Sequence, residues 1–531
     1  MKKKIFVLII AAYSLFYAQN KEIDQGIELP DFVITGVQSV DVPSITKKKA
    51  ELIPVIGKQF LIPRYEPENL DLVKVDVPFY NAPKVFEDYN ALNYSISLSG
   101  GLHTLPTGSL FAGANFKDIL LSAELINRNI LDYKDNAGST FYSGKINAAF
   151  YNNYKSSFLP GLLIGLEGKY EKSTYKFFAS PTPILERDKQ NAGLKLNIDY
   201  DRDRFVNFSV SADGQYLWLP ENTASNISLK SNAMMKFILP GFDLKFESEF
   251  YNNSFKDDIA SKISDDFFSL NAGALFKLSS GMLIGGGIKY SSLDSNTFVF
   301  PNVSAILKIN KFITISGEAG GSGGYLSYSD LMKLNRYFKP ILNYSIYTEN
   351  AININFSIKY EFEKYFELTG GIGFSKYNDY FYFEDDIISG FFEAHPVQDV
   401  KQIFIYGKSY FQLGPLGAFY GGIKFQQFTF NNDNYLPYQP VVNTSIDYKY
   451  KNLSKFGFGI KYVLLFDIYY DSANSSKMDN YNNLSVNLSY EVMKNMELNI
   501  DLQNILNKDN FMWNSYDEKP FDVLIGFNYK W

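Results

Sequence analysis

Several long stretches of the chain alternate apolar and polar residues one by one. The alternation is clearest at positions 194–200, 352–362, 484–490 and 496–502. A period of two puts successive side chains on opposite faces of a β-strand, so each stretch predicts a strand with one apolar and one polar face. Such strands fit either a soluble sandwich or propeller with the apolar faces inward, or a transmembrane barrel with those faces towards lipid.

The lengths of the connections separate these two folds. Short turns are predicted near positions 117–118, 201–204, 239–241, 279–281, 310–311, 363–364, 414–417 and 493–495. Longer loops are predicted at 174–189, 252–266, 320–344, 377–398 and 470–481. Outer-membrane barrels have tight turns at one end and long loops at the other, and a sandwich has no reason to keep that asymmetry. The pattern favours an all-β fold, a transmembrane antiparallel β-barrel.

The strand number follows from the length of the alternating region. About 440 residues follow position 90, and about 20 residues per strand with its connection give about 22 strands. An even number brings both termini to the same end, which we expect to be periplasmic. The connection near His103 then faces outside.

The chain ends in a strand that carries a candidate assembly signal. Phe527, Tyr529 and Trp531 share one face of the last alternating segment. A terminal aromatic residue preceded by alternating apolar residues resembles the C-terminal signal that the barrel assembly machinery binds. The alternative is an ordinary final strand of a β-domain.

Three regions divide the chain. Residues 1–18 combine three lysines with a short apolar run, which predicts a secretory signal peptide. Residues 19–90 hold 7 of the 20 prolines, a density that blocks helices and central strands, so this region is expected to be an irregular periplasmic or lumenal arm. Residues 91–531 are the predicted outer-membrane barrel.

Composition removes several classes of function. The net charge is -6, which offers no basic surface for nucleic acid. The chain has no cysteine and only two histidines, which excludes disulfides, thiolate sites and a histidine-rich metal centre. Aromatic residues make up 17% of the chain, and the mean hydropathy of -0.16 does not fit a helical membrane protein. No cofactor is expected.

Three stretches resemble the TonB-dependent receptors, a family of outer-membrane transporters. The segment 504–508 (NILNK), with the following aromatic loop and final strand, is similar to the family's C-terminal turn and strand. The segment 325–331 (YLSYSDL), followed by 338–340 (FKP), is similar to a family loop motif, although its alanine, proline and glutamate are replaced. The residues Asp31, Phe32, Val33, Ile34 and Thr35 resemble the periplasmic TonB box.

The resemblance implies a barrel that takes up a substrate and a box that pairs as an added strand with TonB. It also shows a departure, because only about 55 residues separate Gly36 from the first strand. That length leaves no room for the family's usual plug domain. Inward-folded loops such as 377–398, the N-terminal arm, or a partner protein are the alternatives for filling the wide lumen.

No catalytic or metal site is expected. His103 and His395 lie in separate loops without a converging carboxylate and nucleophile. The acidic clusters 257–258, 265–266 and 384–386 lack calcium-loop spacing and are expected to be solvated. The glycines at 320–324 predict an outer connection, and those at 285–287 predict a strand. The aromatic run 380–383 is expected in the interfacial girdle.

Two functions remain open from the sequence. The first is a TonB-dependent receptor-like barrel for binding or uptake of a substrate at the surface of a Gram-negative cell. The second is a plugless structural or secretion-associated barrel that holds partner proteins. The expected partners are outer-membrane lipid, the barrel assembly machinery, TonB, and an unknown substrate or envelope protein. An enzyme is not expected.

Overall fold

The described part of the protein is built almost wholly from β-strands. A computed structural model describes residues 94–531 except 153–158, 201–204, 258–262, 294–295, 340–345, 363–364, 386–389, 413–415, 432 and 452–454. The predicted signal peptide, the proline-rich arm and the candidate TonB box lie outside the described residues. Among the residues described, no helix is both long and apolar enough to cross a membrane.

The wall of the molecule contains 22 long strands. They are β1 (Ser95–Gly101), β2 (Thr104–Phe116), β3 (Ile119–Ile130), β4 (Ser139–Tyr151), β5 (Leu163–Lys176), β6 (Glu186–Tyr200), β7 (Val206–Leu219), β8 (Ala224–Leu239), β9 (Phe242–Lys256), β10 (Ile263–Ser279), β11 (Met282–Leu293), β12 (Asn296–Lys308), β13 (Ile313–Leu326), β14 (Ile346–Phe362), β15 (Phe366–Asp385), β16 (Phe392–Gln412), β17 (Ala418–Phe430), β19 (Val442–Lys451), β20 (Phe456–Phe466), β23 (Tyr481–Met493), β24 (Met496–Gln503) and β27 (Asp522–Lys530).

Short elements lie in the connections. They are the strands β18 (Asn434–Tyr435), β21 (Ile468–Tyr469), β22 (Lys477–Met478), β25 (Phe511–Trp513) and β26 (Tyr516–Asp517), the helix α1 (Tyr328–Leu334) and a 3₁₀ turn (Pro220–Asn222). The strands β21 and β22 form one small hairpin, and β25 and β26 form another.

The wall strands form one antiparallel sheet that closes on itself. Each strand pairs with the next in chain order, and β1 pairs with β27 from Ser95 opposite Lys530 to Gly101 opposite Leu524. The predicted barrel of about 22 strands is therefore confirmed. Closure leaves no unpaired sheet edge, which a lipid environment requires because it offers backbone groups no hydrogen bonds.

The apolar faces of the strands point away from the lumen. On β14 the side chains of Ile352, Ile354, Phe356 and Ile358 are 43% to 48% exposed, whereas the alternating Ser357 is 9% exposed. Exposed apolar rows of this kind recur around the wall. Leaving them in water costs about 25 cal/mol per Å² of apolar surface, so the rows form the lipid-facing belt of an outer-membrane barrel fold.

The two ends of the barrel differ. Both described chain ends, Tyr94 and Trp531, lie with the short connections at what we call the turn end. There the two-residue turn between β8 and β9 contains Gly241 at φ +90°, a conformation that L-residues rarely adopt. Most of the longer connections lie at the opposite loop end, in agreement with the predicted asymmetry, although the connection 152–162 between β4 and β5 lies at the turn end.

Several predicted loops are shorter than the sequence indicated. Predicted loop 377–398 is mostly strand, because β15 continues to Asp385 and β16 begins at Phe392. The glycines at 320–324, predicted in a connection, belong to β13, where the ladder to β14 shifts between Gly320 and Ser322. These strands extend beyond the membrane at the loop end. The alternation of outward apolar and inward polar residues is needed only inside the membrane, so it stops before the strands end.

Candidate functional site

Inward-facing side chains at the loop end form a large apolar cluster across the barrel mouth. We call this cluster the aromatic cap. It combines the upper ends of wall strands with residues from the loops. Its buried members are Tyr175, Phe177, Leu217, Leu219, Ala224, Phe255, Tyr328, Leu331, Met332, Tyr337, Phe338, Ile346, Phe381, Phe383, Phe392, Ala394, Tyr438, Leu465, Ile468, Met478, Tyr481, Trp513 and Tyr516.

The cap joins opposite sides of the wall. Phe177 follows β5 and Phe391 precedes β16, and their ring centroids are 4.4 Å apart. β5 and β16 are the fifth and sixteenth of 22 wall strands, so ten strands lie between them in either direction. Contact between them requires the loops to meet in the middle of the mouth. The loop end is therefore closed by the chain's own loops.

A second line of ring contacts completes the closure. Tyr337 stacks on Tyr516 with centroids 3.6 Å apart. Trp513, on the same hairpin as Tyr516, contacts Phe392 at 5.1 Å and Tyr438 at 4.8 Å. Aromatic pairs at these distances add about 0.5–1.5 kcal/mol each beyond the area they bury. The hairpin β25–β26 is thus a central element of the cap.

The helix α1 carries the loop between β13 and β14 into the mouth. Ser327 and Asp330 form a capping box that satisfies the first free backbone amides of the helix. Tyr328 stacks on Phe255 of β9 with centroids 4.0 Å apart, and the hydroxyl of Tyr251 donates to Asp330 Oδ2 at 3.1 Å. Leu331 is buried in the cap. The helix is therefore held to the wall at both its apolar and its polar side.

A buried arginine ties three segments of the cap together. Arg187, at the start of β6, is 2% exposed. Its Nε lies 3.1 Å from Glu221 Oε1 in the 3₁₀ turn, and its Nη1 donates to the carbonyl oxygen of Phe338 at 2.6 Å. The guanidinium also lies over the ring of Phe177 at 4.7 Å. The planar fork of arginine can make these contacts together, which lysine cannot.

Polar groups surround the Tyr337–Tyr516 stack. The hydroxyl of Tyr337 accepts a hydrogen bond from Arg336, and the hydroxyl of Tyr481 donates to Glu518 Oε2 at 2.9 Å. Burial raises the pKa of the Glu518 carboxyl, although the Tyr481 hydroxyl and the Arg336 charge oppose this shift. Burial likewise raises the pKa of Tyr516. Tyr516 and Glu518 therefore sit in a desolvated region, whereas Arg336 at its edge is exposed.

The underside of the cap faces a polar lumen. On β9 the residues Lys245, Glu247 and Glu249 share the inward face with Phe255, and Lys245 pairs with Glu247 at 2.8 Å. Nearer the cap, Lys333 of α1 lies 3.5 Å from Gln215 Oε1 of β7. The arrangement is a mouth closed by rings above a lumen lined with ions and amides. A solute that enters the lumen from the loop end has to pass the aromatic cap.

Of the C-terminal residues singled out in the sequence, two lie on the closing strand and Trp531 directly follows it. Phe527, Tyr529 and Trp531 follow one outward face at the β1–β27 seam, and Trp531 stacks on Tyr94 with centroids 5.6 Å apart. Their role as an assembly signal stays a prediction. His103 and His395 lie apart, at the β1–β2 connection and on β16. Within the described ranges, no group of three or more His, Cys, Asp or Glu side chains could hold a metal ion.

Two predictions about loop residues were wrong. Tyr380, Phe381 and Phe383 are buried inside the loop end and are not part of the interfacial girdle. Glu384 and Asp385 were expected to be solvated, but they connect loops, since Glu384 Oε1 accepts from Ser472 Oγ at 2.8 Å and Asp385 Oδ2 accepts from Asn514 at 3.2 Å. Both errors follow from taking the extensions of β15 and β16 for a loop.

The sequence-based prediction missed Arg187 and Arg336. The chain has only six arginines among 51 basic residues, and these two are the arginines that lie in the cap. Arginine is preferred where a cation is buried or makes several planar contacts. Because arginine is rare in this chain, each arginine could have been singled out from the sequence as a candidate for a buried or multiply bonded cation.

The sequence comparisons match nothing. No protein-family model matches the chain, and no curated protein matches it. Solved structures match it in fold. The FrpB iron transporter of Neisseria meningitidis has 10% identity and a TM-score of 0.64 over 83% of each chain. The ferric enterobactin receptor of Pseudomonas aeruginosa has 10% identity and a TM-score of 0.62 over 83% of this chain and 80% of that chain.

The copper transporter OprC also matches, with 12% identity and a TM-score of 0.62 over 83% of this chain and 80% of that chain. At these identities the likeness shows the fold alone. It is the outer-membrane barrel fold that the resemblance to TonB-dependent receptors implied, and the fold prediction is thereby confirmed. By name, these three matched structures are two transporters and one receptor.

Proposed function

We propose that this chain is an outer-membrane receptor that binds a substrate at the cell surface and admits it through the lumen. The observation that carries the proposal is the aromatic cap, which closes a barrel of the fold used by iron and copper transporters. A general porin needs an open mouth. A mouth closed by its own loops above a polar lumen suits selective, gated entry.

In this proposal the loop end faces outside and both termini face the periplasm. Tyr94 and Trp531 lie together at the turn end, so the preceding 93 residues start from that side. An arm that starts there can present Phe32–Thr35 to TonB as an added strand. TonB then supplies the energy that a closed receptor requires.

The cap favours an organic substrate over a bare metal ion. Its inner surface offers aromatic faces, tyrosine hydroxyls and the charges of Arg336 and Lys333. The whole chain has no cysteine and only two histidines, so of the side chains that copper prefers mainly the thioethers of its 9 methionines remain. We therefore propose a substrate with aromatic and hydrogen-bonding groups, for which a ferric siderophore of the kind named for several structural neighbours is the first to test.

Uptake is tested in a strain that lacks the chromosomal copy of this protein. A panel of ferric siderophores labelled with radioactive iron is offered to cells that express the wild type, Val33→Pro, or Val73→Pro. Proline removes the amide that an added strand needs, so Val33→Pro should abolish uptake while the matched change at Val73 should not. Crosslinking of positions 32–35 to TonB should follow the same pattern.

The outcome also decides between the receptor and the second candidate function. If no siderophore is taken up, no TonB crosslink forms, and other envelope proteins copurify stably, the receptor proposal fails. The barrel would then be the structural or secretion-associated scaffold that the sequence left open. The neighbours' transport roles support the proposal that the chain is not an enzyme.

A further inference from the structure

A groove of about 540 Å³ opens on the outer, lipid-facing surface of the wall across β1 to β5. It is distinct from the lumen and from the cap. The groove is mostly apolar, and it lies in the loop-end half of these strands. Its lining residues include Leu98, Gly108, Leu110, Leu125, Tyr142 and Gly144.

Two glycines form the floor of the groove. Gly144 on β4 lies between Leu125 of β3 and Tyr170 of β5, and Gly108 on β2 pairs with Leu98 of β1. At Gly108 an added Cβ would lie 2.7 Å from Leu98 Cδ2, which is too close. Most outward positions nearby carry large side chains, so missing side chains at two positions leave a depression in the belt.

The groove extends from inside the lipid-facing belt to the level where the belt meets water. On the outward row of β5, Leu166 is followed by Gly168, Tyr170 and then Lys172. Lys172 pairs with Asp188 at 2.9 Å, and charged pairs on the outer face mark the end of the hydrocarbon region. The Tyr170 hydroxyl donates to Gln190 Oε1 at 3.0 Å, as expected for an interfacial tyrosine.

The end of the groove nearest the membrane–water border contains a polar side chain whose oxygen lacks a hydrogen-bond partner among the described residues. Asn127 on β3 lines the groove, and its side-chain oxygen is buried with no hydrogen-bond partner among the described residues. A buried acceptor without a partner costs about 1–3 kcal/mol. A ligand that fills the groove and donates a hydrogen bond at this end would remove that cost once the Asn127 amide turns its buried oxygen towards the groove.

We propose that the groove binds one acyl chain of a membrane lipid from the loop-end leaflet, with an N–H or O–H near the lipid's polar end donating to Asn127. The groove is continuous with the lipid-facing belt, so hydrocarbon chains already surround its opening. Leu98, Leu110 and Leu125 match the methylene part of the chain, and Asn127 matches the hydroxyl or amide of the linkage. The inference rests on the barrel's place in the membrane and not on the transport function.

Photolabelling tests the site. The full-length protein is reconstituted in phosphatidylethanolamine vesicles that contain a lyso-phosphatidylethanolamine, with a free glycerol hydroxyl and a diazirine on its acyl chain, and labelled peptides are mapped after irradiation. Label should concentrate on the residues that line the groove. Gly144→Leu fills the floor, since a Cβ there meets only Leu125 Cδ2 at 3.4 Å, and should remove this label.

The matched control is Gly168→Leu. Gly168 is also outward on β5, and an added Cβ there meets nothing within 4 Å, so label in the groove should persist. Asn127→Val leaves the floor intact and should lower the label several-fold, which keeps the test valid if Gly144→Leu does not fold. Even labelling around the belt, or equal groove label in all three variants, would overturn the proposal. The same labelling is repeated in native membranes. If the groove is labelled in vesicles but a copurifying protein blocks the label in native membranes, the lipid proposal is overturned in favour of a protein partner.

Discussion

The rings of Tyr337 and Tyr516 stack with centroids 3.6 Å apart and 22° between their planes. Their loops leave the wall eight strands apart, after the thirteenth and the twenty-first wall strand. The Tyr516 hydroxyl also donates to the carbonyl oxygen of Gly390 at 2.5 Å, in the connection between β15 and β16. One side chain therefore bridges loops from three parts of the circumference.

Replacing Tyr516 with alanine should open the mouth. The change removes the stack and the hydrogen bond, and truncation of a buried aromatic residue costs about 3–5 kcal/mol locally. The expected result is a higher conductance than wild type in planar bilayers. Tyr490→Ala is the control, because Tyr490 is 52% exposed on the outer face. Wild-type conductance in Tyr516→Ala would show that the cap is not the barrier.

Arg187→Gln should loosen the cap without unfolding the barrel. The change leaves Glu221 without its buried partner, and breaking such a pair costs about 3–5 kcal/mol. The control is Lys172→Gln, which breaks the neighbouring Lys172–Asp188 pair on the exposed outer face and should have a much smaller effect. The difference in loop stability is measured by limited proteolysis of the loops. The temperature is chosen so that the barrel still migrates as a folded protein on gels. Equal protection of both variants would contradict the role given to Arg187.

The wall could be predicted from the sequence because lipid imposes a simple rule on it. Ile352, Ile354 and Phe356 must face acyl chains while Asn353 and Asn355 face water, so the period of two is visible without any tertiary information. The same reasoning gave the strand count, the asymmetry of the ends and the place of Phe527, Tyr529 and Trp531 on one face.

The cap could not be predicted because its contacts are far apart in the sequence. Phe177 and Phe391 meet across the barrel although 214 positions separate them, and neither lies in a periodic segment. Where β15 and β16 rise above the membrane, both faces of Tyr380 to Phe383 pack against protein, so the alternation disappears. A run of aromatic residues then has the same appearance in a girdle, a loop or a core.

The seam of the barrel should depend on Asp522. This carboxylate is 0% exposed. It accepts from Thr104 Oγ1 at 2.8 Å and from the amide of His103 at 3.1 Å, and it pairs with Lys519 at 2.6 Å. It thus joins the connection after β1 to the start of β27. Asp522→Ala removes the counter-ion of Lys519 and leaves the His103 amide and the Thr104 hydroxyl without this acceptor, although the Lys519 ammonium keeps its hydrogen bonds to Thr104 Oγ1 and Gln503 Oε1. It should lower the temperature at which the band of the folded barrel moves to the unfolded position on gels.

The control for the seam is Asp501→Ala, because Asp501 lies on β24 and accepts a hydrogen bond from Asn487 of β23, on the side away from the β1–β27 seam. An equal loss of stability in both variants would show that Asp522 acts as any lumenal carboxylate does. Asp522→Asn keeps the size but loses the ion pair with Lys519, so it should fall between the wild type and Asp522→Ala.

The cap should become less stable as the pH rises above the ordinary range of a carboxyl group. Burial raises the pKa of Glu518 above its usual 4.5, so the folded cap holds this proton at pH values where the open state has released it. The stabilisation is complete below pH 4.5 and is lost as the pH rises through the raised pKa. Fluorescence of Trp513, with Trp218 and Trp531 replaced by phenylalanine, reports the cap. In Glu518→Gln the stability of the cap should no longer change with pH in this range. An unchanged pH profile in this variant would show that another group causes the pH dependence.

Trp531 allows the assembly signal to be separated from a simple structural contact. Trp531 and Tyr94 stack on each other, and the amide of each donates to the carbonyl oxygen of the other at 3.0 and 3.1 Å. Trp531→Ser and Tyr94→Ser therefore break the same ring contact and should lower the stability of protein refolded in detergent by similar amounts. Only Trp531→Ser should also reduce the amount of barrel assembled in cells, because the assembly machinery would bind the C-terminal strand. If both variants assemble equally well in cells, the aromatic end serves only to close the wall.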